Sequence, residues 1–209
     1  MSYVFKYPRP MVTVDAVIFG IDERDMKVLL VRRLKDPFRD MWALPGGFVD
    51  QNETLEQAVA RELQEETGLT GLKLFPGRPY SEPERDPRGR NIAYSFIGLV
   101  MIADGDLQAG DDAGQVLWRP VTDLPELAFD HARICSDGLV RLRELVLTSD
   151  VLFSRLPQLC RKDLLFEALA IVFGGPLKEE MVLTHFEMMG FIEPAGAELD
   201  GTPLFRITG

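Results

Sequence analysis

The sequence predicts an α+β protein: mixed sheets sandwiched between helices, followed by a small helix–turn–helix–hairpin unit. Three observations predict it. Two β-branched apolar runs and a third, shorter one come before any helical periodicity; the period becomes helical at Thr54; and the character of the chain changes again near Thr148 to Asp150. A first helix that follows hairpins, instead of alternating with single strands, argues against a doubly wound parallel sheet. At 209 residues, 46% hydrophobic and 27% charged, the chain is long enough for one good core plus an appendage. The division expected is 1–149 and 150–209.

Val12 to Phe19 and Val28 to Arg32 read as a hairpin, with Asp22, Glu23, Arg24 and Asp25 as its polar turn. Trp42 to Leu44 is a short apolar segment stopped by Pro45, Gly46 and Gly47, where a sharp turn is expected. From Thr54 a stripe of Leu55, Ala58, Val59 and Leu63 marks a helix that ends at Gly68. Pro76 to Arg90 reads as a loop leading to a strand at Ala93 to Ile102. A strand at Val116 to Arg119 and a helix from Asp130 to Leu147 follow. Beyond Asp150, helices at Leu164 to Phe173 and Leu177 to Met189 are each stopped by glycine. Phe191 to Glu193 and Leu204 to Ile207 then flank a turn-rich stretch, the layout of a winged helix.

A formal charge of -10 argues against a general phosphate-backbone binder, whose affinity rests on lysine and arginine displacing counterions. Cys135 and Cys160 are the two cysteines; they fall in segments read as helices, without metal-ligand spacing, and are expected as buried free thiols. Met1 to Pro10 lacks the layout of a signal peptide, and no uninterrupted apolar run reaches membrane-spanning length. A cytoplasmic protein without a membrane partner is expected.

The most informative stretch is GGFVDQNETLEQAVARELQEETGL, Gly46 to Leu69. Glu62, Glu65 and Glu66 stand at i, i+3 and i+4, so three carboxylates leave one side of a helical turn. Two acids about 4 Å apart repel by roughly 4 kcal/mol at an effective dielectric near 20, so their convergence calls for a cation. Hard oxygen ligands select Mg2+, with Mn2+ as the alternative, and either ion bridges phosphate oxygens. Arg61, four residues before Glu65, can pair with it. The turn at Gly47 lets a backbone carbonyl approach the same ion, and Glu53 at the helix start can add a ligand, cap the helix or accept a proton.

Gly47, Glu53, Arg61, Glu62, Leu63, Glu65, Glu66, Gly68 and Leu69 meet every position of the Nudix box, and the chain resembles the Nudix hydrolases. The resemblance implies hydrolysis of a nucleoside diphosphate linked to another group, with Glu62 and Glu66 as the main metal ligands, Glu65 next, and Glu53, Arg61, Glu62, Glu65 and Glu66 as the catalytic set. The base differs among these enzymes; Glu53 or an acid of the loop carrying Glu82, Glu84 and Asp86 is a candidate. PRPMVTVDAVIFG, WALPGGFVD, PERDPRGRNIAYSF and LPELAFDH look like one branch, the ADP-ribose pyrophosphatases and the related regulators of NAD biosynthesis genes. That likeness spans Pro8 to Leu147, and weakly the tail. It implies ADP-ribose, split to AMP and ribose 5-phosphate.

Arg85, Arg88 and Arg90 can grip phosphates bidentately, although a turn-rich loop also carries arginines for no such reason; Arg32, at a strand end, is a further candidate. His131 at a helix start is more often a cap than a catalyst. Trp42 and Phe48 are read as packing residues, with base stacking the minority reading. In the regulatory relatives the tail binds DNA under ADP-ribose control. Here, from Val151 to Gly209, five basic residues (Arg155, Arg161, Lys162, Lys178, Arg206) face eight acidic ones, and the second tail helix carries Lys178, Glu179, Glu180, His185 and Glu187, which phosphates would repel. DNA is therefore the less favoured partner, and a ligand-sensing repressor the second reading. A homodimer is expected from the resemblance alone.

Overall fold

A computed structural model of the chain describes residue 7 and residues 9–22, 25–102 and 113–208. Glu23 and Arg24 of the expected turn lie outside these residues, as does most of Met1 to Pro10. In chain order the first unit comprises β1 (Met11–Ile21), β2 (Met26–Arg33), β3 (Trp42–Ala43), β4 (Gly46–Phe48), α1 (Leu55–Thr67), β5 (Phe75–Tyr80), β6 (Asn91–Met101), β7 (Ala113–Pro120) and α2 (His131–Thr148). The seven strands form one mixed sheet: β1 and β6 run parallel, Met11 opposite Asn91 through Ile21 opposite Met101, and every other pair is antiparallel.

β1 explains why the layers form. Its Val14, Ala16 and Ile18 pack with Ala58, Val59 and Leu63 of α1, while Val17, Phe19 and Ile21 join Ile134, Leu142 and Val146 of α2 in the other core. Successive strand residues point to opposite faces, so a run apolar at both parities is one covered on both sides. α1 is set by its ends. Thr54 and Gln57 form a reciprocal capping box, and Gly68 closes the helix in the left-handed conformation at φ 75°.

Two expectations are corrected here. The bend before the carboxylate helix falls at Pro45, and Gly46 and Gly47 belong to β4, because β1 has a free edge there: Thr13, Val14 and Asp15 pair with Phe48, Gly47 and Gly46. The segment expected as a loop from Pro76 is in fact strand β5 as far as Tyr80. It lies at the sheet edge, with its register broken between Pro76 and Pro79, where a missing N–H is tolerated.

The tail carries a 3₁₀ turn (Phe153–Arg155), β8 (Leu159–Arg161), α3 (Lys162–Phe173), α4 (Glu179–Met188), β9 (Ile192–Ala197) and β10 (Pro203–Ile207), with strand order β8-β10-β9. The expected two helices and hairpin are present. β8 is an addition, too short to show alternation, and it places Cys160 in a strand where a helix was expected; both cysteines are buried and free. The tail's core is continuous with the α2 side of the main sheet. Phe153 stacks on Phe191 at 4.9 Å and meets Phe186 edge-on at 4.8 Å, and Arg143 of α2 donates to the Val172 carbonyl at 2.9 Å. Among the described residues no helix is long and apolar enough to cross a membrane.

Candidate active site

β1, β4, α1, the 81–90 loop and the start of α2 converge at one end of the main sheet around a cleft of about 420 Å³. One wall is the carboxylate helix. Gly46 N–H donates to Glu66 Oε2 at 2.9 Å, tying the strand to the helix. At Gly47 the place of a side chain is taken by the Glu62 carboxylate, whose Oε2 would stand 2.6 Å from a Cβ. Glu62 and Glu66 line the cleft, whereas the Glu65 side chain is 54% exposed and outside it.

Arg61 holds this wall together, though not mainly through Glu65. Its guanidinium donates to Glu53 at 2.7 and 3.1 Å, to Glu62 at 2.8 Å and to the Phe48 carbonyl at 3.1 Å, with Glu65 at 3.2 Å. The shorter reach to Glu53 follows from the fold, which brings the residues just before α1 back beside its second turn. The bonds from Arg61 and from the Asp50 N–H hold the Glu53 carboxyl below its ordinary range, so Glu53 is a weak proton acceptor. Glu62 goes the other way: burial raises its pKa against the opposing pull of Arg61.

Could these residues hold a divalent cation? The donors are all carboxylate oxygens, and burial of the Glu62 charge is only partly offset by Arg61. Among the described residues no three acidic, histidine or cysteine side chains form a closed cage. Glu62 and Glu66 both face the cleft, and two such carboxylates suit magnesium, which keeps several waters and takes one or two carboxylates plus substrate oxygens. The residues fit such an ion.

The cleft and its rim also carry positive charge. Arg33 and Arg88 both lie over the ring of Phe129, at 4.8 and 5.3 Å, and Arg88 is also over the half-exposed Phe48 at 4.9 Å. Burial, and next the charge of Arg88, lower the pKa of Arg33. Arg88 is fixed by Asp86, at 2.7 and 2.9 Å; burial pushes the Asp86 carboxyl up, but bonds from Arg88 and Asn91 prevail and hold it at about 2. Arg32 reaches the rim beside Asp40. Arg85, by contrast, is on the floor with its side chain 3% exposed, its fork closed on Asp130 at 2.6 and 3.1 Å. Arg90 is outside the cleft and donates to the Ser81 carbonyl at 2.7 Å.

The rest of the floor is formed by Asp15 and His131. His131 Nδ1 accepts the Leu44 N–H at 2.9 Å, which places the ring proton on Nε2, 3.7 Å from Asp15 Oδ1. Burial and the charges of Arg85 and Arg33 push His131 down to about 3, so the ring is neutral. Burial, against the pull of Arg85, pushes Asp15 up to about 7. His131 thus serves the backbone of a distant strand end, at Leu44, instead of the helix cap or turn its place at a helix start suggested.

Of the residues singled out in the sequence, Gly47, Arg61, Glu62, Glu66, Arg32, Arg85 and Arg88 line the cleft together, with Asp86, Phe48 and His131; Glu53, Glu65, Arg90, Glu82 and Glu84 do not. Glu82 pairs with Arg133 at 2.6 Å. Trp42 is half-buried against the α2-side core. Sequence reasoning missed Thr13, Asp15, Arg33, Asn91 and Phe129. Asp15 had a readable signal, being a lone acid in the β-branched run of β1, and a charge there needs a reason.

The NUDIX domain model matches residues 9–137. A protein of Methanocaldococcus jannaschii named ADP-ribose pyrophosphatase is 48% identical over 132 residues, covering 63% of this chain and 74% of its own length. An ADPR responsive transcriptional repressor, NtrR, of Acinetobacter baylyi is 29% identical over 191 residues, 90% of this chain and 76% of that one. Among solved structures, Shewanella oneidensis NrtR complexed with a 27mer DNA superposes with a TM-score of 0.75 at 27% identity, over 94% of this chain and 93% of that one.

Proposed function

This chain belongs to the NUDIX family, and from that premise we propose that it is a magnesium-dependent pyrophosphohydrolase that splits ADP-ribose into AMP and ribose 5-phosphate. The observation that carries the reading is one cleft lined both by the carboxylates Glu62 and Glu66 and by the guanidiniums Arg33 and Arg88. Glu62 and Glu66, with the Gly47 backbone, would hold the cation, while Glu65 stands outside the cleft on Arg61. When bound, the ion polarises phosphoryl oxygens and lowers the pKa of a water. Arg61 and Glu53 are positioning residues, a clamp that orients the Glu62 carboxylate.

Arg33 and Arg88 face the diphosphate, with Arg32 at the rim. Two guanidiniums sharing the Phe129 ring repel each other, and a dianionic bridge between them removes that repulsion. Arg85 keeps its place on the floor as the partner of Asp130, and Arg90 shapes the loop. The choice of ADP-ribose is supported by the name of the 48% identical relative. In this reading residues 1–149 are the catalytic unit and 150–209 an appended one. The purified chain with magnesium should release AMP from ADP-ribose, and Glu66→Gln should lose turnover while its melting temperature stays near wild type. Cleavage of other dinucleotides but not of ADP-ribose would leave the reaction standing and remove the substrate.

A second reading, an ADP-ribose-responsive DNA-binding regulator, is favoured by likeness to NtrR over 90% of the chain, tail included. The tail's charges weigh against it. Arg161 is paired with Asp163 at 2.8 Å and Lys162 with Glu179 at 2.5 Å, while α4 exposes Met181 and Met188 beside Glu180 and Glu187.

A further inference from the structure

We propose that Asp15, together with His131 and Arg85, forms a subsite for a sugar hydroxyl of the ligand; the inference rests on the diphosphate-sugar reading above and gives its floor a task. Asp15 is 5% exposed and lines the cleft, yet among the described residues its Oδ2 has no hydrogen-bond partner. A buried polar atom left unpaired costs free energy and calls for an explanation.

The geometry narrows what the missing partner is. Arg85 Nη2 stands 3.8 Å from Oδ2 and His131 Nε2 stands 3.7 Å from Oδ1, both beyond hydrogen-bond range. Neither can close the gap by itself. Arg85 is held by its two bonds to Asp130, and His131 is pinned through Nδ1 by the Leu44 N–H. The floor therefore presents an acceptor flanked by two fixed N–H donors at slightly too great a distance.

A hydroxyl completes this arrangement, because it donates to the carboxylate oxygen and at the same time accepts from His131 Nε2–H or Arg85. With Asp15 ionised, a phosphate oxygen, which only accepts, would set anion against anion. An ammonium only donates and would meet two further donors. In a sugar-linked diphosphate, hydroxyls occur on the nucleoside ribose and on the sugar beyond the phosphates, and both offer this chemistry.

The test is calorimetric titration of the full chain without added divalent metal, so that no turnover occurs, with ADP-ribose, ADP and inorganic pyrophosphate. Asp15→Ala should weaken ADP-ribose by about tenfold and leave pyrophosphate unchanged. Asp15→Asn, which keeps the shape of the buried acid, should fall between. If ADP weakens as much as ADP-ribose, the hydroxyl belongs to the nucleoside ribose; if ADP is unaffected, it belongs to the distal sugar. On the wild-type chain, which carries no risk of misfolding, ADP-ribose analogues lacking one hydroxyl should identify a single position whose loss costs the same factor. Unchanged ADP-ribose affinity in the variants, or an equal loss for pyrophosphate, would overturn the subsite. Asp15-dependent binding without hydrolysis would instead overturn the proposed activity and leave the subsite standing.

Discussion

Adjacent glycines, Gly46 and Gly47, should give opposite phenotypes when each is replaced by alanine. At Gly47 the added methyl meets the end of one side chain, the Glu62 carboxylate, Oε1 first and even Oε2 at 2.6 Å, where ordinary contact begins at 3.4 Å. The carboxylate must move by close to an ångström, and it can, since it is the far end of a flexible side chain lining the open cleft. Misplacing a group that orients the reaction by ~1 Å costs on the order of a hundredfold in rate, whereas stability should change by less than ~1 kcal/mol. At Gly46 the methyl meets backbone, the Val14 carbonyl oxygen and Asp15 Cα at 3.0 Å, in the middle of the sheet. Nothing there can swing aside. A cost of about 2–3 kcal/mol should lower the melting temperature by roughly 5–10 °C at this size. Thermal denaturation and ADP-ribose hydrolysis, measured on both variants, test the pair. Should Gly47→Ala keep activity within twofold of wild type, or melt as early as Gly46→Ala, the reading of Gly47 as room for the Glu62 carboxylate is refuted.

Arg61→Lys keeps the charge but loses the fork that spans Glu53, Glu62 and Phe48, so hydrolysis should fall by about 10²-fold with the fold retained, as circular dichroism would verify. Asp15 and His131 should pull stability in opposite directions with pH. Asp15 keeps its proton up to about 7 when folded against 3.8 otherwise, so its contribution declines as pH rises through that window; His131 stays neutral down to about 3 against 6.5, so its contribution declines as pH falls. Between about 4 and 6.5 the two slopes cancel, each up to about 1.4 kcal/mol per pH unit; Asp15→Asn should therefore lose stability on acidification and His131→Asn should gain it, in melts from pH 7 to 4. For the tail, a gel shift at moderate salt with DNA from upstream of NAD-synthesis genes should show no complex, and a salt-steep, ADP-ribose-sensitive shift would restore the regulator reading.

The sequence displayed α1 in full because each of its signals is local. Thr54, Gln57, the apolar stripe and Gly68 all act within a few residues, and the carboxylates sit at fixed helical spacing. Strands β5 and β8 were illegible for the converse reason. Phe75 to Tyr80 holds two prolines and a glycine, and only the neighbouring β6 makes it a strand; Leu159 to Arg161 is defined by β10, more than forty residues on. The arginines divide along the same line. Residue type marked Arg85, Arg88 and Arg90 alike, but Asp130, Asp86 and the Ser81 carbonyl decide which of them can meet a ligand, and those partners are set by tertiary contact.

The register of β1 links the two halves of the cleft. Val14 packs against α1 and opposes Gly47 of β4, whose missing side chain leaves space for Glu62. Asp15, the next residue, opposes Gly46 and projects to the α2 face among Arg85, Asp130 and His131. One strand thus delivers the metal-side wall and the polar floor from neighbouring positions, because consecutive side chains leave a sheet on opposite faces. A slip of one residue against β4 would put Asp15 beneath the glutamates and an apolar side chain on the floor. The parallel pairing with β6 along eleven residues prevents that slip, and it also carries Asn91 to the floor opposite Met11, where its amide bonds Thr13 and Asp86. The long β1–β6 ladder is therefore more than core. It fixes which side chains meet the carboxylate wall and which meet the polar floor.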